Sequence, residues 1–371
     1  MKNVFIHKYG GDALKDLVSL RKVAQHLSDS CQNAKKVLCV VSAMGKSTEA
    51  LKEKAFSLDA SPSKRELDML LTTGERVSMA LLSIALSKLG VKALSLTGSQ
   101  SGILTSCEHG NAKIIDILPE RITKSFTQAQ VVIVAGFQGM CKETGEITTL
   151  GRGGSDLTAL ALASKFKWPC TLFKTVDGVL TSDPKVVKNC QTLSEISSDL
   201  LLKLCSNGSQ IVHHRAVSLA KDLKLDFEVK NIKDPKKTKT LVQNLNSPDK
   251  IEKEKVKVLN HTPGLCLLKL KVLSLTEKTI FLLPDFQNFF KNEEKKFFLQ
   301  KLQTKEFLEL TLFFSEDKKH QFLLFFDKLS KEKNFKYKIS FEQKGLFLVN
   351  LFGTNLDSHK ILLKVSEITK K

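Results

Sequence analysis

The sequence predicts an α/β protein, an αβα sandwich with a mainly parallel sheet, followed by a smaller α+β region. In the first part of the chain, short apolar runs alternate with segments whose apolar residues recur at helical spacing. Strands that are apolar on both faces are typical of a parallel sheet buried between helices. The length of 371 residues corresponds to two or three domains of ordinary size.

The predicted elements of the sheet follow one another over residues 1–245, with helical patterns between most of the strands. Strand-like apolar runs occupy residues 4–8, 37–41, 93–96, 131–135, 171–173 and 227–229. Helical spacing is found over residues 17–27, 67–89 and 159–166. These elements predict one α/β domain over residues 1–245.

A polar segment at residues 233–255, rich in Lys, Asn and Pro, predicts a domain boundary. Beyond it, residues 250–371 contain 16 of the 23 phenylalanines and no arginine. Aromatic strand-like runs at 309–314 and 345–352 alternate with an amphipathic segment at 321–329. The pattern predicts a second domain over residues 250–371, made of one or two small α+β modules with phenylalanine in their cores.

The net charge of +19 raises the question of a nucleic acid or an anionic membrane as partner. Only six of the 58 basic residues are arginine, the residue best suited to reading phosphates and bases. No apolar run approaches the ~18–20 residues of a membrane span. We therefore expect neither partner. The N-terminus leads directly into a strand without a secretion signal, and we expect a cytoplasmic protein.

The eight cysteines are dispersed and form no CxxC pair, which argues against a zinc site and against a disulfide scaffold. Several of them, such as Cys39, lie inside apolar runs. We therefore expect reduced cysteines packed in the core.

Three glycine-rich segments follow predicted strands, where open α/β sheets bind their ligands. Residues 8–11 read Lys-Tyr-Gly-Gly, in which the glycines let the backbone approach an anion and the lysine can meet phosphoryl oxygens. A strand-ending turn is the alternative interpretation. Residues 41–48 read Val-Ser-Ala-Met-Gly-Lys-Ser-Thr and lack the spacing of a P-loop.

The third segment, residues 148–158, is the most specific local signal in the chain. Its glycines open a helix, where free N–H groups and the helix dipole attract an anion. Arg152 within this turn is suited to gripping a carboxylate or a phosphate bidentately. For Ser155 and Asp156, a role as helix N-caps is the structural alternative.

Two further segments place polar groups next to glycine. Residues 72–76, Thr-Thr-Gly-Glu-Arg, interrupt a helical pattern and place the Glu75 carboxylate next to a glycine, as in a ligand site. The alternative interpretation is that Glu75 is a solvated residue on a helix. Residues 175–184 follow a strand and are rich in turn residues, which suits either a nucleotide-binding loop or a hairpin.

Taken in order, these segments resemble aspartate kinase, of the amino-acid kinase superfamily. Each motif alone is modest, but ten of them in the family's order are highly specific. They lie at residues 8–11, 41–45, 71–75, 96–102, 135–139, 149–156, 176–179, 182–184, 215–217 and 234–235.

The resemblance implies transfer of the ATP γ-phosphoryl group to the β-carboxylate of L-aspartate, with Mg²⁺ carried by the nucleotide phosphates. Because a carboxylate nucleophile needs no general base at neutral pH, positioning and charge neutralisation should dominate. The implied catalytic residues are Lys8, which neutralises charge on the phosphoryl group, and Asp156, which organises the lysine. The implied aspartate-binding residues are Thr48, Glu75, Arg152 (on the α-carboxylate), Gly153, Gly154 and Ser155. The implied nucleotide-binding residues are Lys8, Tyr9, Gly10, Gly11, Ser42, Lys174, Thr175, Leu180 and Lys185.

Departures from the family's pattern cluster on the nucleotide side. The family's Thr/Ser-Asp pair is replaced by Lys174 and Thr175, and a common tyrosine by Leu180. A common arginine is replaced by Lys185 and a lysine by Gln210. The resemblance therefore implies altered ATP recognition, with the new lysines compensating for part of the lost charge.

The family carries two ACT modules after its kinase domain, which often bind lysine or threonine. Residues 250–371 are fewer than two full modules usually need, and no effector-loop match is visible. We therefore expect an ACT-like region with weak or absent inhibition by lysine. The resemblance also implies a homo-oligomer, either a dimer or a tetramer.

Three alternatives remain open. Another superfamily kinase, such as glutamate 5-kinase, acetylglutamate kinase or uridylate kinase, is disfavoured by the Leu-Gly-Arg-Gly-Gly-Ser-Asp run at residues 150–156. A non-catalytic or weakly active amino-acid-binding regulator is favoured by the altered nucleotide loop and disfavoured by the retained site residues. A lysine-rich nucleic-acid binder would lose binding steeply with added salt.

Overall fold

A computed structural model gives the structure of this chain in two parts. It describes residues 3–32, 35–181, 190–206, 209, 211–235 and 239–244 in full, and the backbone of four strands between residues 258 and 352. The predictions for residues 182–184, Lys185, Gln210 and residues 321–329 lie outside the described residues. The chain divides into two compact units, Met1–Cys205 with Gln210–Lys250, and Ser206–Ser209 with Ile251–Lys371.

The first unit is built around one large sheet. In chain order, its described strands are β1 (Val4–Tyr9), β2 (Lys36–Val41), β3 (Ala93–Leu96), β4 (Ile103–Thr105), β5 (Ile114–Ile117), β6 (Val131–Ala135), β7 (Gln138–Cys141), β8 (Ile147–Thr149), β9 (Cys170–Lys174), β10 (Glu195–Ser197), β11 (Phe227–Asn231) and β12 (Lys239–Gln243). Eight of them form a sheet in the order β10-β12-β11-β9-β1-β2-β6-β3. Every neighbouring pair is parallel except β11 with β12, which confirms the predicted mainly parallel sheet.

Helices cover both faces of this sheet. The described helices are α1 (Leu17–Ser30), α2 (Ser47–Leu58), α3 (Lys64–Leu71), α4 (Thr73–Lys88), α5 (Glu120–Ser125), α6 (Gly154–Phe166), α7 (Ser198–Ser206) and α8 (His214–Asp222), with a 3₁₀ turn at Gly11–Leu14. Helices α1 and α4 bury Leu27 and Leu82 against Val37 and Cys39 of β2. Helix α6 packs on β1 and β9 and contacts α8. The αβα sandwich predicted from the sequence is confirmed.

A smaller sheet in the order β5-β4-β7-β8 was not predicted. Its strands have only three or four residues each, which is too short for the period of two to stand out in the sequence. In this sheet β8 contacts α3, and β5 and β7 contact α6. The sheet therefore supports the glycine-rich segment that follows β8.

The expectation of reduced cysteines is wrong for one pair, because Cys107 and Cys141 form a disulfide. Cys107 follows β4, and Cys141 ends β7. These two strands are parallel neighbours in which Thr105 pairs with Cys141, so the fold brings the two sulfur atoms together. Cys39 and Cys170 are buried free thiols, as expected.

One helical stretch, Lys64–Lys88, has the length and apolar composition of a membrane span. The sequence expectation missed it because Glu75 and Arg76 interrupt the apolar run. The stretch consists of α3 and α4, and its apolar window is 44% buried within this unit. Leu82 and Leu86 are fully buried beside the sheet. This is the packing of a core helix in an α/β domain.

The second unit contains four described strands. They are β13 (Val258–Val272), β14 (Leu299–Gln303), β15 (Leu308–Ser315) and β16 (Tyr337–Phe352). These strands form an antiparallel sheet in the order β14-β15-β13-β16. The aromatic runs predicted as strands at 309–314 and 345–352 lie within β15 and β16.

Two substitutions on α4 test which side of this helix faces the core. Leu82→Ala should lower the free energy of unfolding by about 2–5 kcal/mol, because it removes a fully buried side chain and leaves a cavity. Ile84→Ala is the matched control, since this residue is 67% exposed on the same helix and its truncation should change stability little. Urea unfolding of the two variants checks this. An equal loss from both would contradict the orientation of α4.

Candidate functional site

Four neighbouring strands end at one edge of the large sheet, because β9, β1, β2 and β6 are adjacent and parallel. The loops after β1 and β2 are joined by main-chain hydrogen bonds. The Ser42 amide donates to the Tyr9 carbonyl at 3.2 Å, and the Gly45 amide donates to the Gly11 carbonyl at 3.0 Å. The two glycine-rich segments predicted from the sequence therefore lie side by side.

Glycine is required where these loops approach each other and α4. A Cβ atom on Gly11 would lie 2.9 Å from the Ala43 carbonyl oxygen. A Cβ atom on Gly74, in the first turn of α4, would lie 2.8 Å from the Ala43 Cβ. The close approach places Glu75, the next residue of α4, against the loop that follows β2.

Three charged side chains meet beneath this edge. The Lys8 Nζ lies 2.6 Å from the Asp156 Oδ1, and the Lys174 Nζ lies 2.9 Å from the Asp156 Oδ2. Lys8 and Asp156 are almost fully buried, whereas Lys174 is partly exposed. A single carboxylate on α6 thus holds one ammonium group from β1 and one from β9.

The pKa values reflect this arrangement. Burial alone would raise the pKa of the Asp156 carboxyl, but the Lys174 and Lys8 ammonium groups outweigh burial and hold that pKa well below its usual range. Burial lowers the pKa of the Lys8 ammonium, and the Asp156 carboxylate opposes this shift. Asp156 is therefore ionised at neutral pH and forms ion pairs with both ammonium groups.

Glu75 carries a buried carboxyl group, of which only one oxygen accepts a hydrogen bond from the described residues. The Ala43 amide donates to Glu75 Oε1 at 3.0 Å, whereas Oε2 is buried without a hydrogen-bond partner among the described residues. Burial raises the pKa of Glu75 to about 7, against the opposing hydrogen bond from Ala43. The alternative of a solvated helix residue is wrong for Glu75, which is 3% exposed. A buried acceptor of this kind suits the ammonium group of a ligand.

The glycine-rich segment after β8 forms a tight turn into α6. Gly151 and Gly153 adopt positive φ values of 73° and 71°, and Gly153 is the N-cap of α6. The alternative of N-capping roles is therefore wrong for Ser155 and Asp156, which lie in the first helical turn. Arg152 is exposed between the two glycines. Arg152 thus places an exposed guanidinium group next to the N-terminus of α6, where anions are favoured.

Ser155 lies at the same edge of the sheet. A Cβ atom on Gly136, directly after β6, would be 2.8 Å from the Ser155 Cβ. The Gly136 amide donates to the Val41 carbonyl at the end of β2. The start of α6 therefore packs on the ends of β2 and β6, beside the loop that contains Ser42.

Asp68 on α3 is a buried residue that the sequence analysis missed. It is 1% exposed, and its Oδ2 accepts from the Thr149 and Gly110 amides, both at 3.1 Å. The same oxygen lies 2.8 Å from His109 Nδ1, and Oδ1 accepts from the Thr149 hydroxyl. Asp68 therefore fixes the end of β8, two residues before Gly151.

Arg215 on α8 holds the next part of the same turn. Its guanidinium group donates to the Leu150 carbonyl, and to Asn111 Oδ1 at 2.6 Å. A Cβ atom on Gly151 would lie 3.2 Å from this group, so the turn packs directly on it. The motif at residues 215–217 includes Arg215, but the sequence does not predict that Arg215 contacts Leu150 and Asn111.

Three further predicted site residues lie outside the strands. Thr48 lies in the first turn of α2. Thr175 and Leu180 lie in the segment after β9, where Leu180 forms an antiparallel bridge with Thr192, as in a hairpin. Tyr9 points away from Lys8, since successive residues of a strand alternate between faces. Its hydroxyl lies 2.8 Å from His26 Nδ1 on α1. The Tyr9 side chain is buried in the core, and only its main chain reaches the edge.

The family model described as the amino acid kinase family matches residues 3–231. The aspartokinase of Geobacillus stearothermophilus is 46% identical to this chain over 229 residues, which are 62% of this chain and 56% of that protein. The chain thus spans little more than half the length of this curated relative.

Solved structures of similar fold include two aspartate kinases. The crystal structure of aspartate kinase from Synechocystis has a TM-score of 0.58 and 28% identity, covering 94% of this chain and 60% of that one. E. coli aspartokinase III in complex with aspartate and ADP has a TM-score of 0.68 and 20% identity, covering 95% and 88% of the two chains. At this identity, the second likeness concerns the fold alone.

Replacing the buried Asp68 tests its role in holding the turn before α6. Asp68→Asn should lower the free energy of unfolding by about 2 kcal/mol or more, because the new amide nitrogen faces hydrogen-bond donors. Asp116→Asn is the control, since Asp116 is half exposed and pairs with Lys165 at the surface. Urea unfolding of both variants measures the difference. Equal stability of the Asp68 variant and the wild type would contradict the assignment.

Proposed function

Because the chain belongs to the amino acid kinase family, we propose that it transfers the γ-phosphoryl group of ATP to the β-carboxylate of L-aspartate, giving 4-phospho-L-aspartate. One observation carries the proposal: the buried cluster of Lys8, Asp156 and Lys174 lies at the sheet edge where Glu75 also lies. An anion site beside a carboxyl group fits a phosphate donor together with an amino-acid acceptor. The identity to a curated aspartokinase supports this choice of acceptor.

On the donor side, the loop amides and the buried Lys8 ammonium group fit the phosphates of ATP. Gly10 and Gly11 leave their loop free of side chains, and Lys8 Nζ lies 3.5 Å from the place that a Cβ atom on Gly10 would occupy. We assign to Lys8 the neutralisation of charge on the transferring phosphoryl group, and to Asp156 the positioning of the Lys8 ammonium group. We assign Ser42, Lys174, Thr175 and the main chain of Tyr9 to the same nucleotide.

Mg²⁺ would bridge the ATP phosphates and neutralise part of their charge. Within the part of the chain that the structure describes, no cluster of His, Cys, Asp or Glu has the geometry of a metal site. We propose that Mg²⁺ arrives with the nucleotide, where it needs no cage of protein ligands. The protein then supplies the ammonium groups and amides around the phosphates.

On the acceptor side, the two ends of L-aspartate need groups of opposite charge. The exposed Arg152 guanidinium fits the α-carboxylate, and the unpartnered Oε2 of Glu75 fits the α-ammonium group. Ser155 and the amides of Gly153 and Gly154 at the start of α6 complete the anion side. Thr48 on α2 is assigned to the same substrate.

The resemblance also implies a domain organisation, an oligomeric state, a location and a metabolic role. We propose that the α/β unit is the kinase domain, over residues 1–245, and that residues 250–371 form an ACT-like regulatory region. A homo-oligomer, a cytoplasmic location and a role in the biosynthesis of lysine or other aspartate-derived amino acids are proposed on the same basis.

A direct assay tests the reaction. Purified protein with Mg-ATP, L-aspartate and hydroxylamine should form aspartyl hydroxamate, because the acyl phosphate product is trapped. Parallel assays replace L-aspartate by L-glutamate or by UMP with a matched readout. Product with one of these acceptors and none with L-aspartate would overturn the proposal.

The role of Arg152 is tested by Arg152→Ala. The aspartate KM should rise by about tenfold or more, because the α-carboxylate loses a charged hydrogen-bond partner worth about 1.5–3 kcal/mol. The ATP KM should stay within about twofold of the wild-type value. Arg121→Ala is the control, since Arg121 is exposed on α5, and it should leave both constants unchanged. An unchanged aspartate KM in Arg152→Ala would refute the assignment.

The raised pKa of Glu75 predicts a pH dependence. Below its pKa of about 7 the carboxyl group is neutral and binds the α-ammonium group weakly, whereas above that pH it is a carboxylate. The kcat/KM for L-aspartate should therefore rise with pH and level off above about pH 7. Glu75→Gln should give a low value without this rise. A wild-type profile that is flat between pH 5.5 and 8 would contradict the role of Glu75.

A further inference from the structure

We propose that Lys174 is a second phosphate-binding ammonium group, which acts with Lys8 on the polyphosphate of the nucleotide. The inference rests on the proposed kinase function and deepens it, because it assigns Lys174 to the phosphates and not to the base or the ribose.

The register of β1 and β9 places the two lysines on one face of the sheet. Lys8 pairs with Leu172 across the two parallel strands. Lys174 lies two residues beyond Leu172 and therefore projects from the same face as Lys8. Both ammonium groups reach the same carboxylate, Asp156 on α6, at 2.6 and 2.9 Å. The ends of two adjacent strands thus bring two positive charges to one point.

The charges of this cluster do not balance. Asp156 supplies one negative charge to two ammonium groups, which leaves one positive charge in excess. Glu75 influences Lys8 electrostatically, but among the described residues neither lysine forms an ion pair with it. A further anion at this point would balance the excess positive charge.

Exposure indicates which lysine meets that anion first. The Lys8 side chain is 6% exposed, and the Lys174 side chain is 17% exposed. In the register of the two strands, Tyr9 pairs with Phe173, so Lys174 stands level with Gly10, where the glycine loop begins. An anion bound at this loop would lie close to Lys8, whose Nζ is 3.5 Å from the place that a Cβ atom on Gly10 would occupy. A chain of phosphates is long enough to contact both ammonium groups.

The test measures the binding of Mg-ADP to the full chain by calorimetry, without L-aspartate. Lys174→Gln keeps a hydrogen-bond donor for Asp156 but removes the charge. Its Kd for Mg-ADP should rise about tenfold, and the dependence of Kd on salt concentration should weaken. Lys174→Arg should stay within about threefold of the wild type. A Lys174→Gln variant with the Kd and salt dependence of the wild type would overturn the proposal.

Lys165→Gln is the matched control for this experiment. Lys165 also pairs with an aspartate at 2.9 Å, but both partners are exposed at the surface of α6 and β5. The Kd for Mg-ADP and its salt dependence should be unchanged in this variant. A loss of affinity equal to that of Lys174→Gln would reduce the effect to overall charge and contradict the proposal.

A second measurement uses the wild-type chain alone and does not depend on the folding of a variant. Acetylation of individual lysines is followed by mass spectrometry with Mg-ADP, inorganic tripolyphosphate or adenosine present. Mg-ADP and tripolyphosphate should slow the acetylation of Lys174 at least fivefold, whereas adenosine should not. Protection by adenosine, or no protection by Mg-ADP, would overturn the assignment.

The outcomes separate this proposal from the proposed function. If Mg-ADP binding depends on the charge of Lys174 but the chain does not phosphorylate L-aspartate, the assignment of L-aspartate as acceptor is wrong and the role of Lys174 stands. If the chain phosphorylates L-aspartate but Lys174→Gln binds Mg-ADP like the wild type, the proposed function stands and the role of Lys174 is overturned.

Discussion

The buried carboxylate of Asp156 is the constraint on which the rest of the site depends. Two lysines from adjacent strands point at one spot beneath the sheet edge, where their like charges would repel strongly away from water. Asp156 compensates for one of these charges and fixes both ammonium groups by direct contact. It lies in the first turn of α6, so the same contact ties that helix to β1 and β9. The charge of the site and the packing of three elements are therefore set together.

The part of the site that contains Glu75 and Arg152 is built by contacts between segments that are distant in sequence. Gly74 lets the start of α4 approach Ala43 so closely that Glu75 binds the Ala43 amide and keeps a second oxygen available. Asp68 and Arg215 hold the turn that carries Arg152 from two sides. A rigid frame thus surrounds a single exposed arginine, which lowers the entropy cost of fixing a ligand there.

The parts of the fold that the sequence predicts are those with a strong local pattern. The apolar run at residues 131–135 coincides with β6, because all five residues of this strand are buried and each must therefore be apolar or small. The run at residues 93–96 coincides with the edge strand β3, of which only Leu96 is buried. The small sheet has strands too short for such a pattern. The glycine motifs indicated where the loops converge, since parallel strands end at one edge.

The parts that the sequence does not predict depend on tertiary contacts. Asp68 reads as a solvated helix residue, yet its partner Thr149 lies 81 positions further along the chain. The motif around Lys8 does not reveal that Tyr9 faces the core, because that depends on which side of the sheet α1 covers. The pairing of Lys174 with Asp156 likewise needs the register of two strands and the position of a helix.

The most direct test of the account is a crystal structure of this chain with Mg-ADP and L-aspartate bound. The account predicts that Lys8 and Lys174 contact the phosphates from either side. It also predicts that the Arg152 guanidinium group makes two hydrogen bonds to the α-carboxylate of L-aspartate at the same sheet edge. A structure in which the nucleotide lies away from Asp156, or in which Arg152 and Lys8 open onto different surfaces, would contradict it.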